Sequence, residues 1–243
     1  ALPIWDALRN TAGSRFLAAE GGEQDIRLRG FARQSTGDVF VDGMRDPAFY
    51  DRDTFFRDRL EVLRGSASLL FGRGSTGGAV NQVTKVPRLL TEHRFEVTLG
   101  NHEYLRAVGD FNLRLAPSTA LRLGTMYTHA ANDGAGTPLD KQGLAATLRS
   151  GIGERHEWSA ALYLLDNDNG INYGLPYIRR RAGAPVEDTT LLPVSPTAYY
   201  GMASDRNHGQ AETATLGHTW RPARGQQLVT KLLTFARKQT MER

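Results

Sequence analysis

Cysteine is absent from the 243 residues of this sequence, so disulfide bridges and metal sites built on thiolates are excluded. No run of apolar residues approaches the roughly 18 that a membrane-spanning helix requires. A barrel strand, in contrast, is apolar on one face only and leaves little trace in a hydropathy profile. Composition therefore argues against a membrane helix while leaving membrane β-strands open.

A strong charge of one sign is also missing. Thirty lysine and arginine residues stand against 26 aspartate and glutamate residues, which gives a net charge of +4 and a pI near 9.5. The arginines are spread along the chain and form no single basic patch. The excess of positive charge therefore indicates a solvated surface and predicts no nucleic-acid partner.

A catalytic constellation is missing as well. Ser75 has no G-x-S-x-G elbow around it, and His129 and His218 alternate with strand-like neighbours. We therefore predict no catalytic residue, no metal site and no enzymatic activity, and expect the chain to act by recognition. The histidines, none at metal-ligand spacing, are His93, His102, His129, His156, His208 and His218.

The densest group of motifs runs from residue 60 to 85. It reads as strand, turn, short helical turn, glycine-rich turn and second strand. Gly72, Gly74 and Gly77 satisfy G-x-G-x-x-G, but a dinucleotide site needs a helix directly after the glycines. A β-branched strand pattern follows here instead, so nucleotide binding is not predicted.

Beyond Pro87 the sequence alternates between apolar and polar residues, for example from Leu121 to Tyr127. A period of two marks a strand with one apolar face. Segments of about ten such residues suit a transmembrane β-barrel, in which Arg106, Asp110 and Arg114 would face a water-filled lumen. They suit a soluble β-sandwich equally well. Periodicity alone leaves both architectures open.

The connections between these segments fall into two classes. Short turns are predicted at residues 116–119, 153–155 and 222–225, and longer connections at 132–141 and 169–210. The last is far longer than a structureless loop normally runs, which indicates a function. It contains the sequence from Tyr173 to Tyr177, a basic run at residues 179–181, and Tyr199-Tyr200-Gly201.

The stretch from Leu60 to Lys85 resembles the plug-domain signature of TonB-dependent outer-membrane receptors, E-V-L-R-G-P-A-S-x-L-F-G-x-G-S-x-G-G-x-V-N-x-V-T-K. The match crosses the glycine-rich turn without a gap, and Ser66 stands where the family usually has proline. The segment from Val39 to Asp46 is predicted as strand, Asp42-Gly43 turn and strand, and its residues from Val41 to Asp46 resemble the family's V-D-G-V-R-D. The matching signature positions are Glu61, Gly65, Gly72, Gly74, Gly77, Gly78 and Asn81.

The resemblance implies an α+β plug domain over residues 1–88, with its N-terminal part missing. It implies that residues 89–243 are the first strands of an antiparallel transmembrane β-barrel, which in this family closes about 22 strands around the plug. The chain starts at Ala1 without an initiator methionine or signal peptide and stops at Arg243 within a strand-like pattern. We therefore expect an incomplete fragment of a plugged barrel.

The resemblance further implies a receptor in the outer membrane of a Gram-negative bacterium, in contact with its lipid, that imports a ferric siderophore. The TonB–ExbB–ExbD complex would energise it through an N-terminal box absent here. The motifs at Val41–Asp46 and in the long connection favour a catecholate siderophore, with iron carried only inside the ligand and no cofactor. Two alternatives stay open: a receptor of the same family for haem, cobalamin or a glycan, and a soluble β-rich binding module.

The candidate ligand contacts combine arginine charge with tyrosine and phenylalanine rings, which suits an anionic complex that has aromatic rings. They are Arg45, Phe49, Tyr50, Arg52, Tyr173, Tyr177, Arg179, Arg180, Tyr199 and Tyr200. The resemblance also implies that Arg29 and Arg64 lie buried and pair with barrel carboxylates located after residue 243. Such pairs would lock the plug to the barrel.

Overall fold

A computed structural model gives the fold of the chain as a succession of β-strands. The described residues are 14–18, 24–28, 31–32, 39–46, 51–64, 78–131, 138–171, 174–179, 181, 183, 185, 189–195, 197–202, 204–223 and 225–242. Within this part of the chain, no helix is long and apolar enough to cross a lipid bilayer. The short helical turn expected within residues 60–85 lies outside the described residues.

Two small sheets come first. The strands β1 (Ser14–Ala18), β2 (Gln24–Leu28) and β3 (Phe31–Ala32) pair in that order. A second sheet, which we call the plug sheet, has the order β5-β4-β7-β6, with β4 parallel to β7 and the other pairs antiparallel. Its strands are β4 (Val39–Val41), β5 (Met44–Arg45), β6 (Arg57–Arg64) and β7 (Gly78–Thr84).

The predicted turn at Asp42-Gly43 is confirmed. Asp42 and Gly43 have φ angles of 51° and 80°, and a two-residue hairpin turn of this kind requires positive φ at both positions. The turn joins β4 to β5, and Phe40 of β4 packs against Ala79 of β7 with Leu63 beside them. The turn therefore marks one end of a small packed core.

The largest sheet has seven strands, which we call the wall sheet. Each strand pairs antiparallel with the next, in the order β16-β15-β12-β11-β10-β9-β8. The connection between β12 and β15 carries a separate hairpin of β13 (Tyr177–Arg179) and β14 (Thr189–Leu191). The wall strands are β8 (Glu92–Leu99), β9 (Leu105–Ala116), β10 (Thr119–Ala130), β11 (Leu139–Ser150), β12 (His156–Gly170), β15 (Arg206–Trp220) and β16 (Leu228–Glu242).

The turns of the wall sheet separate by length as predicted, except that the short turn at residues 100–104 joins β8 to β9 at the end of the long connections. The short turns after β9, β11 and β15 lie at one end, and the connections at 131–138 and 171–205 lie at the other. The predicted bounds of both long connections were wrong. Strand β11 begins at Leu139, β12 continues to Gly170 and β15 begins at Arg206. A backbone ladder needs no apolar alternation and here runs through polar residues such as Asn169 and Asn207.

The wall sheet has an exposed apolar face and a buried polar face. Leu144 and Leu148 of β11 are 51% and 40% exposed, whereas Lys141 and Thr147 of the same strand are each 4% exposed. A soluble β-sandwich shows the reverse arrangement, because its apolar faces pack into the core. The exposed apolar face also includes Leu115, Tyr127, Trp158, Leu162, Leu216, Trp220, Leu228 and Leu232.

The polar face is buried because plug residues cover it. Arg106 and Asp110 point to this face, as predicted, but both are buried. Arg114, nearer the short turns, is exposed. The predicted boundary after residue 88 falls between β7 and β8, in the segment that leads from the plug sheet to the wall sheet.

Candidate functional site at the plug–wall junction

The segment from Asp51 to Phe56 lies against the polar face of strands β9 to β12. Asp53 accepts hydrogen bonds from both terminal nitrogens of Arg106, with Nη2 to Oδ1 at 2.7 Å and Nη1 to Oδ2 at 3.0 Å. Arg106 Nη1 also donates to Thr128 Oγ1 at 2.7 Å. Asp53 is 1% and Arg106 3% exposed. Removing one partner of such a pair leaves a buried charge without compensation, which is costly.

A second carboxylate is held two residues earlier. Asp51 forms an ion pair with Lys141 of β11. Its backbone carbonyl accepts a hydrogen bond from Asn167 Nδ2 at 3.2 Å, and its Oδ2 accepts one from Asn169 Nδ2 at 3.4 Å. These partners lie near the ends of β11 and β12 that carry the long connections. The segment therefore begins at that end of the wall.

Two phenylalanines fill notches left by glycines in the wall. A Cβ at Gly124 would collide with the ring of Phe56, and one at Gly143 would lie 2.6 Å from Phe55 Cε1. The Phe55 ring stacks on Tyr163, with 5.4 Å between ring centres. Both phenylalanines are 1% exposed. Glycine at these wall positions is what allows the close approach.

Lys85 ties the end of the plug sheet to the same place. Its Nζ donates to the Phe55 carbonyl at 3.0 Å and to Asp110 Oδ2 at 2.9 Å. Arg122 donates two hydrogen bonds to the same carboxylate, from Nε to Oδ1 and from Nη2 to Oδ2, both at 2.8 Å. Its Nη1 donates to the Val86 carbonyl at 3.1 Å. One wall carboxylate thus holds two cations, one from each side of the junction.

A polar cavity of about 460 Å³ opens beside this triad. It lies between the edge strand β6 of the plug sheet and strands β8 to β10 of the wall. Cations and carboxylates alternate in its lining, which suits a water-filled space better than an apolar ligand. Its charged lining consists of Arg57, Asp58, Lys85, Arg88, Glu92, Arg94, Glu96, Asp110 and Arg122.

Two signature residues, Glu61 and Asn81, fix the Asp42-Gly43 turn. Asn81 Oδ1 accepts a hydrogen bond from the Gly43 amide at 3.0 Å, and Asn81 Nδ2 donates to Glu61 Oε2 at 2.9 Å. The Asn81 hydrogen bond, followed by that of Arg59, lowers the pKa of Glu61 below its ordinary value. Asp42 Oδ1 accepts from the Thr84 amide at 2.9 Å. The signature thus has a positioning role inside the plug sheet.

Gly78, a third signature position, is buried and has a φ of 136°, which other residues rarely adopt. Arg64, a predicted lock residue, ends strand β6 opposite Gly78, and the structure describes only its backbone. The other lock residue, Arg29, and the signature glycines Gly65, Gly72, Gly74 and Gly77 lie outside the described residues.

Arg45 and Arg52, the two arginines of the plug that were predicted to contact the ligand, both lie at the plug sheet. Arg52 is 4% exposed and pairs through Nε with Asp46 Oδ2 at 2.6 Å, an oxygen that also accepts from Gln82 Nε2 at 3.1 Å. Arg45 is exposed on β5, near the Asp42-Gly43 turn. Lys231 of β16, near the short-turn end, donates to the Asp42 carbonyl at 3.2 Å. Arg45 therefore lies near the end of the wall sheet that carries the short turns, away from the long connections.

The long connection does present aromatic and basic side chains to solvent. Tyr177 of β13 is 54% exposed, and the Arg179 guanidinium lies 5.2 Å from the centre of its ring. Tyr199 donates to the Met202 carbonyl at 3.0 Å, and burial, followed by Asp205, raises the pKa of its hydroxyl. Tyr200 is exposed. The remaining candidates Phe49, Tyr50, Tyr173 and Arg180 lie outside the described residues.

Sequence reasoning missed the residues that join plug and wall. Asp51 and Asp53 belong to no motif that we recognised, and Lys85, the last residue of the plug signature, received no role there. Their wall partners Arg106 and Asp110 were expected to face water. The available signal was the placement of Arg106 and Asp110 on the inward face, since a buried polar face requires polar partners. Which partners they have follows only from the three-dimensional arrangement.

Comparison with known proteins shows which family model and which relatives this chain resembles. The family model of the TonB-dependent Receptor Plug Domain matches residues 1–79. The probable TonB-dependent receptor BfrD of Bordetella pertussis is 34% identical over 217 residues, which is 88% of this chain and 28% of BfrD. The catecholate siderophore receptor Fiu of Escherichia coli K12 is 28% identical over 225 residues, 88% of this chain and 29% of Fiu.

The same fold occurs in a solved structure. The siderophore receptor PiuA from Acinetobacter baumannii superposes with a TM-score of 0.89 at 23% identity, over 99% of this chain and 35% of that one. This likeness shows the expected combination of plug domain and antiparallel barrel strands. The chain spans less than a third of the length of BfrD and Fiu.

Proposed function

Because the chain belongs to the TonB-dependent receptors, we propose that it is the plug and first wall strands of a receptor that binds and imports ferric siderophores. One observation carries the transport part of the proposal. The wall sheet exposes leucine and tryptophan on one face and buries arginine, lysine and aspartate under the plug on the other. Lipid outside and a plugged polar passage inside account for this polarity.

The same polarity supports a location in the outer membrane of a Gram-negative bacterium. The short turns would face the periplasm and the long connections the exterior, which is the usual arrangement in such barrels. The domain boundary after residue 88 belongs to this proposal. The TonB–ExbB–ExbD complex would supply the energy, acting on a segment that precedes these residues in the whole receptor.

The ligand class rests on the relatives and on the long connection. BfrD is named a TonB-dependent receptor, while Fiu and PiuA are named siderophore receptors, Fiu for catecholates. The exposed Tyr177–Arg179 pair offers a ring and a delocalised cation to an anionic aromatic complex. Iron would travel inside the ligand, without a cofactor, and the receptor would act by binding and transport with no enzymatic step. No observation favours haem, cobalamin or a glycan.

The test is uptake by the full-length receptor in a Gram-negative strain that lacks its own siderophore receptors. We expect radioactive iron to enter with a catecholate complex, only when TonB is present, and the receptor to fractionate with the outer membrane as a heat-modifiable band. A hydroxamate complex, haem and cobalamin serve as competing ligands. Uptake of one of these in place of the catecholate would reassign the ligand, and a soluble protein would overturn the proposal.

A further inference from the structure

We propose that His156 and His218 bind the phosphate group of an anionic phospholipid, in the membrane leaflet at the short-turn end of the wall. Trp158 and Trp220 stand opposite these two histidines, which we call the histidine pair, on the neighbouring strand. The inference rests on the proposed function, because it needs the exposed apolar face of the wall sheet to lie in a lipid bilayer. The family resemblance implies contact with lipid in general, whereas this inference names the lipid group and the side chains that bind it.

The histidine pair lies on the apolar face of the wall, at its short-turn end. Strand β12 begins at His156, and β15 ends at Trp220, two residues after His218. Trp158 and Trp220 belong to the exposed apolar face, with exposed fractions of 53% and 37%. Because side chains two residues apart along a strand point to the same face, the histidines share that face with the tryptophans. Tryptophan rings near the ends of barrel strands mark the level of the lipid headgroups, so the histidine pair lies at that level.

The two imidazoles form a hydrogen bond with each other. His156 Nδ1 and His218 Nε2 are 3.2 Å apart, and the two ring planes differ by 2°. Trp158 stacks on His218 with 4.1 Å between ring centres, and the Trp220 ring lies nearly parallel to His156 at 6.3 Å. Among the described residues, neither outer nitrogen, His156 Nε2 or His218 Nδ1, has a hydrogen-bond partner. The indoles thus hold two imidazoles whose outer nitrogens are free to meet a ligand.

The hydrogen bond between the imidazoles determines what their outer nitrogens can do. In the neutral pair, one imidazole donates its proton to the other, which leaves one outer N–H donor and one outer acceptor. When the pair takes up one proton, both outer nitrogens become donors and the pair carries one positive charge. A phosphate diester offers acceptor oxygens and one negative charge. It therefore complements the singly protonated pair, and its binding takes up one proton.

Histidines at the other end of the same face have carboxylate partners within the sheet. His129 Nδ1 lies 2.6 Å from Asp140 Oδ1, and His208 Nε2 lies 3.3 Å from Asp166 Oδ2. Within the described part of the chain, no carboxylate forms an ion pair with the histidine pair. An external anion would therefore stand where Asp140 and Asp166 stand at the other end.

The side chains around the histidine pair also favour an anion. The outward positions beside it on the neighbouring strands are Ser150 of β11 and Thr230 of β16, which carry no charge. Arg221 reaches to the opposite face of the sheet, where it pairs with buried Glu157. The charged residues of the two adjoining turns are Glu154, Arg155, Arg221 and Arg224. Three of these four are arginines, so the sequence at this end carries an excess of positive charge.

The experiment measures lipid binding to the purified full-length receptor by native mass spectrometry. Phosphatidylglycerol is the anionic probe, and phosphatidylcholine, which has a phosphate diester but no net charge, is the comparison lipid. The double variant His156→Phe with His218→Phe keeps two aromatic rings and removes their nitrogens. His93→Phe is the matched control, because His93 is exposed on the same face and has Phe111 as its ring neighbour.

We expect the double variant to bind phosphatidylglycerol roughly tenfold more weakly near pH 6, because charge-assisted hydrogen bonds are lost. His93→Phe should bind this lipid like the unmodified receptor, and all three proteins should bind phosphatidylcholine alike. Raising the pH to about 8 should weaken binding of phosphatidylglycerol to the unmodified receptor and leave the double variant unchanged. Equal binding by the unmodified receptor and the double variant, or binding that does not depend on pH, overturns the inference.

A second measurement uses the unmodified receptor and so does not depend on assembly of a variant. Phosphatidylglycerol with a diazirine in its headgroup should label peptides that contain residues 155–158 or 218–221, and labelling confined to other peptides contradicts the site. Displacement of the lipid by excess inorganic phosphate would assign the pair to a free anion and overturn the lipid assignment. Absence of siderophore uptake would refute the proposed function. A receptor that transports but binds lipid without regard to the histidine pair would refute this inference alone.

Discussion

Arg106 of the wall donates hydrogen bonds to Asp53 of the plug from both terminal nitrogens, Nη2 to Oδ1 at 2.7 Å and Nη1 to Oδ2 at 3.0 Å. In this pair the wall supplies the cation and the plug supplies the carboxylate. The lock predicted for Arg29 and Arg64 has the opposite polarity and stays a prediction, because their side chains lie outside the described part of the structure. If both exist, the plug is held by pairs of opposite polarity at different places.

Replacing Arg106 with methionine should weaken plug docking strongly. Asp53 would remain buried without its partner, and breaking a buried pair in this way costs about 3–5 kcal/mol. The measurement is the protease resistance of the plug in the assembled receptor across a urea gradient. Arg114→Met is the matched control on the same strand, because Arg114 is exposed, and it should change stability by no more than about 0.5 kcal/mol. Equal effects of the two variants would contradict the proposed role of the pair.

Gly124→Ala should disturb the docking of Phe56. The new Cβ would overlap the phenyl ring, and overpacking of this kind costs about 1–3 kcal/mol. Phe56→Leu in the same receptor should recover part of the loss, because the smaller side chain vacates the space. Gly209→Ala is the control, since nothing lies within 4 Å of a Cβ there. The protease assay should separate Gly124→Ala from Gly209→Ala; identical behaviour would show that the notch is not needed.

Much of the wall could be predicted because each of its strands has one apolar and one polar face, which the alternation from Leu121 to Tyr127 reveals. The Asp42-Gly43 turn was predictable for a local reason, because an Asp-Gly pair tolerates the positive φ that a two-residue hairpin turn requires at both positions. The Asp53–Arg106 pair joins positions 53 residues apart, and neither residue shows its partner in the sequence. The end of β12 and the start of β15 were missed because Asn169 and Gly170 pair through the backbone with Asn207 and Arg206 while carrying no apolar signal.

Glu61 should make the plug sheet sensitive to acid. Its pKa in the folded protein is lowered, first by Asn81 and then by Arg59. The stability it contributes is therefore present above its unfolded pKa, near 4.5, and is lost as the pH falls through the lower folded value. Below pH 5 the plug of the unmodified receptor should lose protease resistance more steeply than that of Glu61→Gln. Glu92→Gln, which changes an exposed carboxylate on β8, is the control. A slope unchanged by Glu61→Gln would show that the Glu61 charge does not contribute to holding the turn through Asn81.

Tyr177→Ala and Arg179→Ala should each weaken binding of a ferric catecholate complex to the full-length receptor. The pair is exposed on the β13–β14 hairpin, where the guanidinium lies over the ring, and a cation–π or stacking contact at such a site is worth about 0.5–2 kcal/mol. We therefore expect dissociation constants roughly 2–30 times larger, measured by fluorescence quenching on purified receptor. Thr190→Ala, on the paired strand and also exposed, should leave affinity unchanged. Full affinity in both Tyr177→Ala and Arg179→Ala would remove this hairpin from the binding site and direct attention to the aromatic residues at positions 49 and 50.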